Sequence, residues 1–234
     1  MADDDKLAVP KADASDAALA IARGALGAVP LVGSLGIELV NQIVAPPLEK
    51  RRDAWMEEVG EAIHELQGKV TGLTPEKLAA DESFVTVFSH ASSMAIRNHQ
   101  REKLDALRNA VLNAALHRGA DETRQMMFLS WVDALTPMHL QLLALLGDPT
   151  RYLQEHNIGY QPTGTMGGIT DMLTHVTGAD RDIVSQAVKD LADRGLLPQM
   201  NLGVTMTTGG FFQQRSTPLG NQLLEFIAKP PELN

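Results

Sequence analysis

Cysteine is absent from the whole 234-residue chain. That excludes disulfide staples, zinc–thiolate sites and thiol nucleophiles, and it fits a reducing compartment. Aromatic residues are scarce, at 4%. The core must therefore be aliphatic, with methionine filling gaps. Positive charge is in deficit: 20 Lys and Arg face 29 Asp and Glu, for a net charge of -9. A field of that sign opposes non-specific nucleic-acid binding. The basic opening of a secretory leader is missing too. Residues 1–16, MADDDKLAVPKADASD, are acid-rich and are expected to form a disordered or loosely docked arm. At this length the chain can bury a core without staples, as one large domain or two small ones.

What the chain does have is an apolar opening, Ala17 to Pro47, AALAIARGALGAVPLVGSLGIELVNQIVAPP, whose only charges are Arg23 and Glu38. A membrane-spanning helix needs about 18 or more apolar residues. Only 14 uncharged residues separate Arg23 from Glu38, and Pro30 interrupts them. Pro30 is expected to separate two short helices, 14–29 and 31–44. Gly24, Gly27, Gly33 and Gly36 recur at i, i+3 on each side of it, which permits close backbone approach in a membrane or in a soluble hairpin. Three roles are open to this hairpin: a buried core element, a conditionally membrane-inserting element, or a surface for a protein partner or for self-association. Leu26, Val29, Leu31, Val32, Leu35 and Ile37 are the residues that would meet the partner or the lipid.

Pro46-Pro47 is expected to stop that helix and open the next. From Leu48 the pattern is amphipathic, with Leu48, Trp55, Val59, Ile63, Leu66 and Val70 on one face. Thr74-Pro75 starts a short helix to Ala80, and Asp81-Glu82-Ser83 leads another to about Ile96. A third runs from about Gln100 to His117, with Gly119 suited to the left-handed position after it. A fourth covers Asp121 to Leu135, with Met126, Met127, Leu129, Val132 and Leu135 inward. Residues 17–135 thus read as a helical bundle that includes the hairpin 17–47.

Residues 136–229 read as a second domain. Thr136-Pro137 caps an apolar helix, 138–146, and Gly159, Pro162 and Gly164 mark a loop. Then come a short helix (168–176), a turn, a helix ending at Gly195, two strands (202–207 and 211–215) around Gly209-Gly210, and a closing helix capped by Thr217-Pro218. Residues 230–234 are left as a tail behind Pro230-Pro231. Helix, helix-turn-helix, two-stranded hairpin, helix is the winged-helix order. VSQAVKDLADRGLL resembles the recognition helix and exit turn of winged-helix transcription regulators. The expected fold class is mainly α, with a two-stranded β-hairpin in the C-terminal part.

A DNA reader needs Lys and Arg over phosphates and polar groups at base edges. The candidates are Arg181, Gln186 and Lys189 on the second helix and Arg215 on the wing. Asp180, Asp182, Asp190 and Asp193 surround the helix cations, so a packing or protein-contact role is expected, with DNA-binding transcription regulation as the alternative. Seven histidines are scattered over separate elements without the i, i+4 pair of a zinc-protease helix. GYQPTGTMGG, residues 159–168, lacks the Gly-Lys-Ser/Thr ending of a phosphate loop. No G-x-S-x-G elbow occurs. No catalytic residue, metal or cofactor is therefore expected.

The glycine-rich opening, APPLEKRRDAWMEEV, LDALRNAVLNAAL, LTPMHLQLLALLGDP and TPLGNQLLEFI together resemble the abortive-infection alpha family of bacterial phage-resistance proteins. The resemblance implies a bacterial defence setting, and it carries over no catalytic residue.

Overall fold

A computed structural model describes residues 34–118, 120–160, 168–200 and 208–233. The protein is mainly helical, and no strand occurs among the described residues. The elements are α1 (Ser34–Lys69), α2 (Pro75–Ala80), α3 (Glu82–Arg97), α4 (Arg101–Ala115), α5 (Glu122–Ala134), α6 (Pro137–Gly147), α7 (Pro149–Glu155), α8 (Gly168–Thr177), α9 (Arg181–Asp193), α10 (Thr208–Phe211) and α11 (Pro218–Ile227), with a 3-10 turn at Pro231–Leu233. Two compact units are separated after Glu58, a point inside α1.

The first unit corrects one expectation. Pro46 and Pro47 do not end a helix; α1 runs through both. An interior proline removes a hydrogen bond and crowds the carbonyl four residues back. Both prolines, Gln42 and Ile43 are exposed, so water can solvate the carbonyls left without partners.

The second unit starts from the rest of α1, where Val59 and Leu66 are fully buried. Helix starts follow the sequence closely. Asp81 accepts from the Ser83 and Phe84 amides at 3.0 and 3.1 Å, and Asp121 accepts from the Arg124 amide at 2.9 Å. Thr74, Asp148 and Thr217 cap α2, α7 and α11 in the same way. One stop differs. α4 ends at Ala115, and the left-handed residue is His117, with φ 53°. Its amide and that of Arg118 bond back to Ala114 and Asn113, at 3.0 and 2.9 Å, closing a Schellman turn. Gly119 lies outside the described residues.

α4 is the centre of this unit. It packs against α3, α5 and α11. Lys103, Asn109 and Asn113 are buried along it with the apolar residues. Lys103 donates from Nζ to the Asp133 carbonyl at 2.7 Å and so neutralises the carbonyl end of α5. Burial pushes the Lys103 pKa down, against the pull of Asp133. On α5, Phe128 joins Leu129, Val132 and Leu135 in the core, while Met126 and Met127 are only half-buried. α6 contacts α7, α8, α9 and α11, which explains why it is apolar nearly all round.

The expected hairpin is the second correction. Residues 202–207 lie outside the described residues, but Phe211–Arg215 is not a strand. Gly209-Gly210 belongs to the short helix α10, and the chain after it is held by Arg215. The Arg215 amide donates to the Leu146 carbonyl at 2.8 Å, and its guanidinium donates to the carbonyls of Gly210, Phe211 and Gln213. Strand pairing is replaced by side-chain capping.

α11 packs on α4, α5 and α6, so it touches elements on both sides of the expected boundary at 135/136. Residues 230–233 are ordered against the unit. Leu233 is buried, and Glu232 forms a two-pronged ion pair with Arg118.

Candidate functional site

The sequence-predicted residues fall in three places. Leu26, Val29, Leu31 and Val32 lie outside the described residues. Leu35 and Ile37 belong to the first turns of α1, by backbone alone. Arg181, Gln186 and Lys189 stand exposed on α9. Arg215 is not a free wing cation: burial lowers its pKa, and its guanidinium is engaged by backbone carbonyls.

α8, the turn at Gly178 (φ 67°) and α9 make a helix-turn-helix, with α6 packed on both helices. Val184, Ala187, Val188, Leu191 and Ala192 bury one face of α9. The opposite face carries Arg181, Asp182, Ile183, Gln186, Lys189 and Asp193. Two cations and two anions cancel there. Arg181 is ion-paired with Asp171, and Gln186 donates to Asp190 Oδ1 at 2.7 Å. Ile183 is 53% exposed in the first turn of α9, at the edge of this face.

Beneath it, His139 ties α6 to α9. The Thr136 amide donates to His139 Nδ1 at 3.3 Å, and the Thr136 hydroxyl lies 2.7 Å from the same nitrogen. That assigns the ring proton to Nε2, which faces Asp190 Oδ2 at 3.4 Å. The row Thr136–His139–Asp190 has the residue types of a nucleophile, base and orienting acid. Its geometry is a helix capping box. Nδ1 already accepts a backbone N–H, so its lone pair is not available to activate the threonine. Burial lowers the His139 pKa despite Asp190, and hydrogen bonds from Gln186 and His139 lower that of Asp190.

A groove of about 1100 Å³ is walled by α4, α6, α7 and α11. Leu140, Ala144 and Leu224 supply apolar lining, and Tyr152 stacks on His156 with ring centroids 4.0 Å apart. Burial raises the Tyr152 pKa. Glu102, Asp105, Asp148, Glu155 and Glu225 ring the groove against Arg151 and Lys229. Arg151 is committed to Glu155 at 2.7 Å.

Two asparagines one helical turn apart on α4 fix the groove's α11 wall. Asn113 Nδ2 lies 2.9 Å from the Phe226 carbonyl and 2.8 Å from that of Ala228, with Glu225 O at 3.3 Å. Asn109 Nδ2 donates to Ile227 O at 3.0 Å. These are carbonyls that a helix C-terminus leaves open. Asn109 Oδ1 is buried without a partner.

Sequence reasoning missed the groove and both asparagines. The signal available was LDALRNAVLNAAL itself, where two amides sit four residues apart on an otherwise apolar face. Among the described residues no group of three or more His, Asp or Glu converges on a metal position, and no helix is long and apolar enough to cross a membrane. Compared with protein-family models, curated proteins and solved structures, the chain matches none of them.

Proposed function

We propose that this is a non-enzymatic helical interaction protein whose helix-turn-helix serves protein contact rather than DNA reading. The observation that carries this reading is the outward face of α9: charge-balanced, with Arg181 paired to Asp171 and Ile183 exposed at its edge in the first turn. Duplex affinity comes chiefly from uncompensated Lys and Arg over phosphates, which this face lacks. An exposed apolar residue beside a charge-balanced polar surface suits a protein contact better than a phosphate backbone. The packing of α6 on both α8 and α9, a helix-turn-helix arrangement, supports this reading. The resemblance to abortive-infection alpha proteins supports placing it in bacterial phage defence or stress. There residues 17–45 would insert conditionally into the inner membrane or mediate self-association, through Leu26, Val29, Leu31, Val32, Leu35 and Ile37.

Two assays on the full chain separate the parts. In gel shifts at low salt, no duplex retention is expected; retention lost in Arg181→Glu would replace this reading with the DNA regulator. In flotation with anionic vesicles, the full chain is expected to float and Val29→Asp to remain at the bottom. A full chain that never floats removes the membrane part. Light scattering should show association that Ile183→Lys disperses, and an unchanged mass in that variant would remove the α9 interface.

A further inference from the structure

We propose that His139 is a proton-operated fastener, which caps the start of α6 when neutral and gives up that cap for α9 when it takes a proton. The inference stands apart from the proposed function, since it holds whatever α9 meets. It starts from the direction of the hydrogen bonds. A backbone amide only donates, and that of Thr136 donates to His139 Nδ1 at 3.3 Å. Nδ1 accepts only when it carries no proton, so the capping box requires the neutral ring. On the other side of the ring, Nε2 faces Asp190 Oδ2 at 3.4 Å. A charged bond settles at about 2.7–2.9 Å, so an imidazolium has room to close on this carboxylate. The two contacts make opposite demands. A second proton must go to Nδ1, where it cancels the cap, and its charge draws the ring toward Asp190.

The surroundings set where this happens. The His139 side chain is 12% exposed, so it cannot swing into water without leaving both partners. Burial is the largest influence on the ring and holds its pKa below the ordinary 6.5. Asp190 favours the imidazolium, and Arg194, which donates to the Asp190 carbonyl at 2.9 Å, opposes it. Among the described residues no charged group on α7, α8 or α11, the other elements packed on α6, acts on the ring. The ring also stands at the third position of α6, where the amide end of the helix disfavours a cation.

Once Nδ1 is protonated, the Thr136 hydroxyl, 2.7 Å away, can turn and accept from it. The Thr136 amide has no such alternative. Thr136 is exposed, so that amide passes to water and the corner between α5 and α6 loosens while the helices stay in place.

Nuclear magnetic resonance on the full chain tests this. At pH 8 the His139 ring should carry its proton on Nε2, and its titration midpoint should lie below 6.5. Exchange of the Thr136 amide with water, divided by its unstructured rate at each pH, should rise roughly three- to tenfold at that midpoint, the loss of one hydrogen bond. The amide of Leu143, buried in the middle of α6, should keep its protection through the same step. His139→Gln offers an oxygen to the Thr136 amide and an N–H to Asp190 at every pH, so its Thr136 amide should stay protected throughout. Asp190→Asn removes the charge that favours the imidazolium, so the ring midpoint and the Thr136 step should move together to lower pH. Four results would overturn the proposal: an Nδ1–H ring at pH 8, Thr136 protection unchanged across the midpoint, Leu143 released in the same step, or a Thr136 step that persists in His139→Gln.

Discussion

Gly220 stands where α11 crosses the exit turn of α9, and replacing it with alanine sets two effects of known sign against each other. In a helix the change normally gains about 0.5–1 kcal/mol, because alanine loses less backbone entropy on folding. Here a Cβ would lie 2.3 Å from the Leu196 carbonyl oxygen and 3.2 Å from its carbon. Carbon–oxygen contacts settle at about 3.3–3.6 Å, so one backbone must retreat by about 1 Å. The obstacle is main chain and cannot rotate away. Leu196 O also accepts from the Thr217 amide at 3.0 Å and from its hydroxyl at 3.1 Å, so retreat strains the α11 cap. Overpacking of this kind costs about 1–3 kcal/mol, and one lost hydrogen bond adds about 1. After subtracting the propensity gain, the net is a destabilisation of about 1–3 kcal/mol. Urea unfolding should show a lower midpoint with unchanged slope, and the thermal midpoint should fall by several degrees. Gly60, in α1 with nothing within 4 Å of its would-be Cβ, is the matched control. Gly60→Ala should gain about 0.5–1 kcal/mol. A Gly220→Ala protein as stable as the parent would refute the close crossing.

Asn113→Leu should cost about 2–4 kcal/mol in the same assay, because the Phe226 and Ala228 carbonyls at the end of α11 lose their donor; Asn109→Leu, which frees one carbonyl and removes an orphan acceptor, should cost less. Gly168→Ala should destabilise, since its Cβ would fall 2.3 Å from the buried Phe211 ring, and Phe211→Leu in that background should recover part of the loss, a non-additivity that a double-mutant cycle reads directly. Acid should weaken the fold in two windows. The native state disfavours the His139 proton, so the unfolded chain binds it first, and stability falls as pH drops below the ordinary value of 6.5. Asp190 has a depressed pKa, so its contribution is held above its ordinary 3.8 and is lost only below it. His139→Gln should flatten the upper window and weaken without abolishing the lower one, which Gln186 still supports, followed by urea midpoints from pH 8 to pH 2.

Helix starts were legible because they are local. Thr74, Asp81, Asp121 and Thr217 each bond an amide two or three residues on, so the residue type announces the cap. The apolar stripes of α4 and α9 were legible for the same reason. What failed was decided at longer range or by solvent. Pro46-Pro47 reads as a stop, yet an exposed helix can carry it when water takes up the released carbonyls. Gly209-Gly210 reads as a hairpin turn, yet Arg215, five residues past Gly210, supplies the donors that wind the segment into α10 instead. Nothing in GGFFQQR states that an arginine will turn back onto its own chain. His117 takes a left-handed turn that a nearby glycine seemed designed for. The groove was illegible for a different reason: its lining comes from four helices, from residue 102 to residue 229, and no periodicity spans that distance.

That distance also bears on why the chain from Val59 onward is one unit. A helical bundle followed by a helix-turn-helix module could fold as two bodies joined at Leu135. The closing helix prevents it. Asn113 and Asn109 reach carbonyls 112 to 118 residues away, and Phe226 lies 5.8 Å from Phe128 of the bundle, while Thr217 and Gly220 press the other end of the same helix onto Leu196. One ten-residue helix thus has its C-terminus bonded to α4 and its N-terminus bonded to the exit of α9. Such contacts form late, because long loops must close before they contribute. A chain in which α11 detaches would uncover Phe128, free the two asparagines and remove one wall of the acidic groove together. The stability of the bundle and the shape of the groove are therefore coupled through α11.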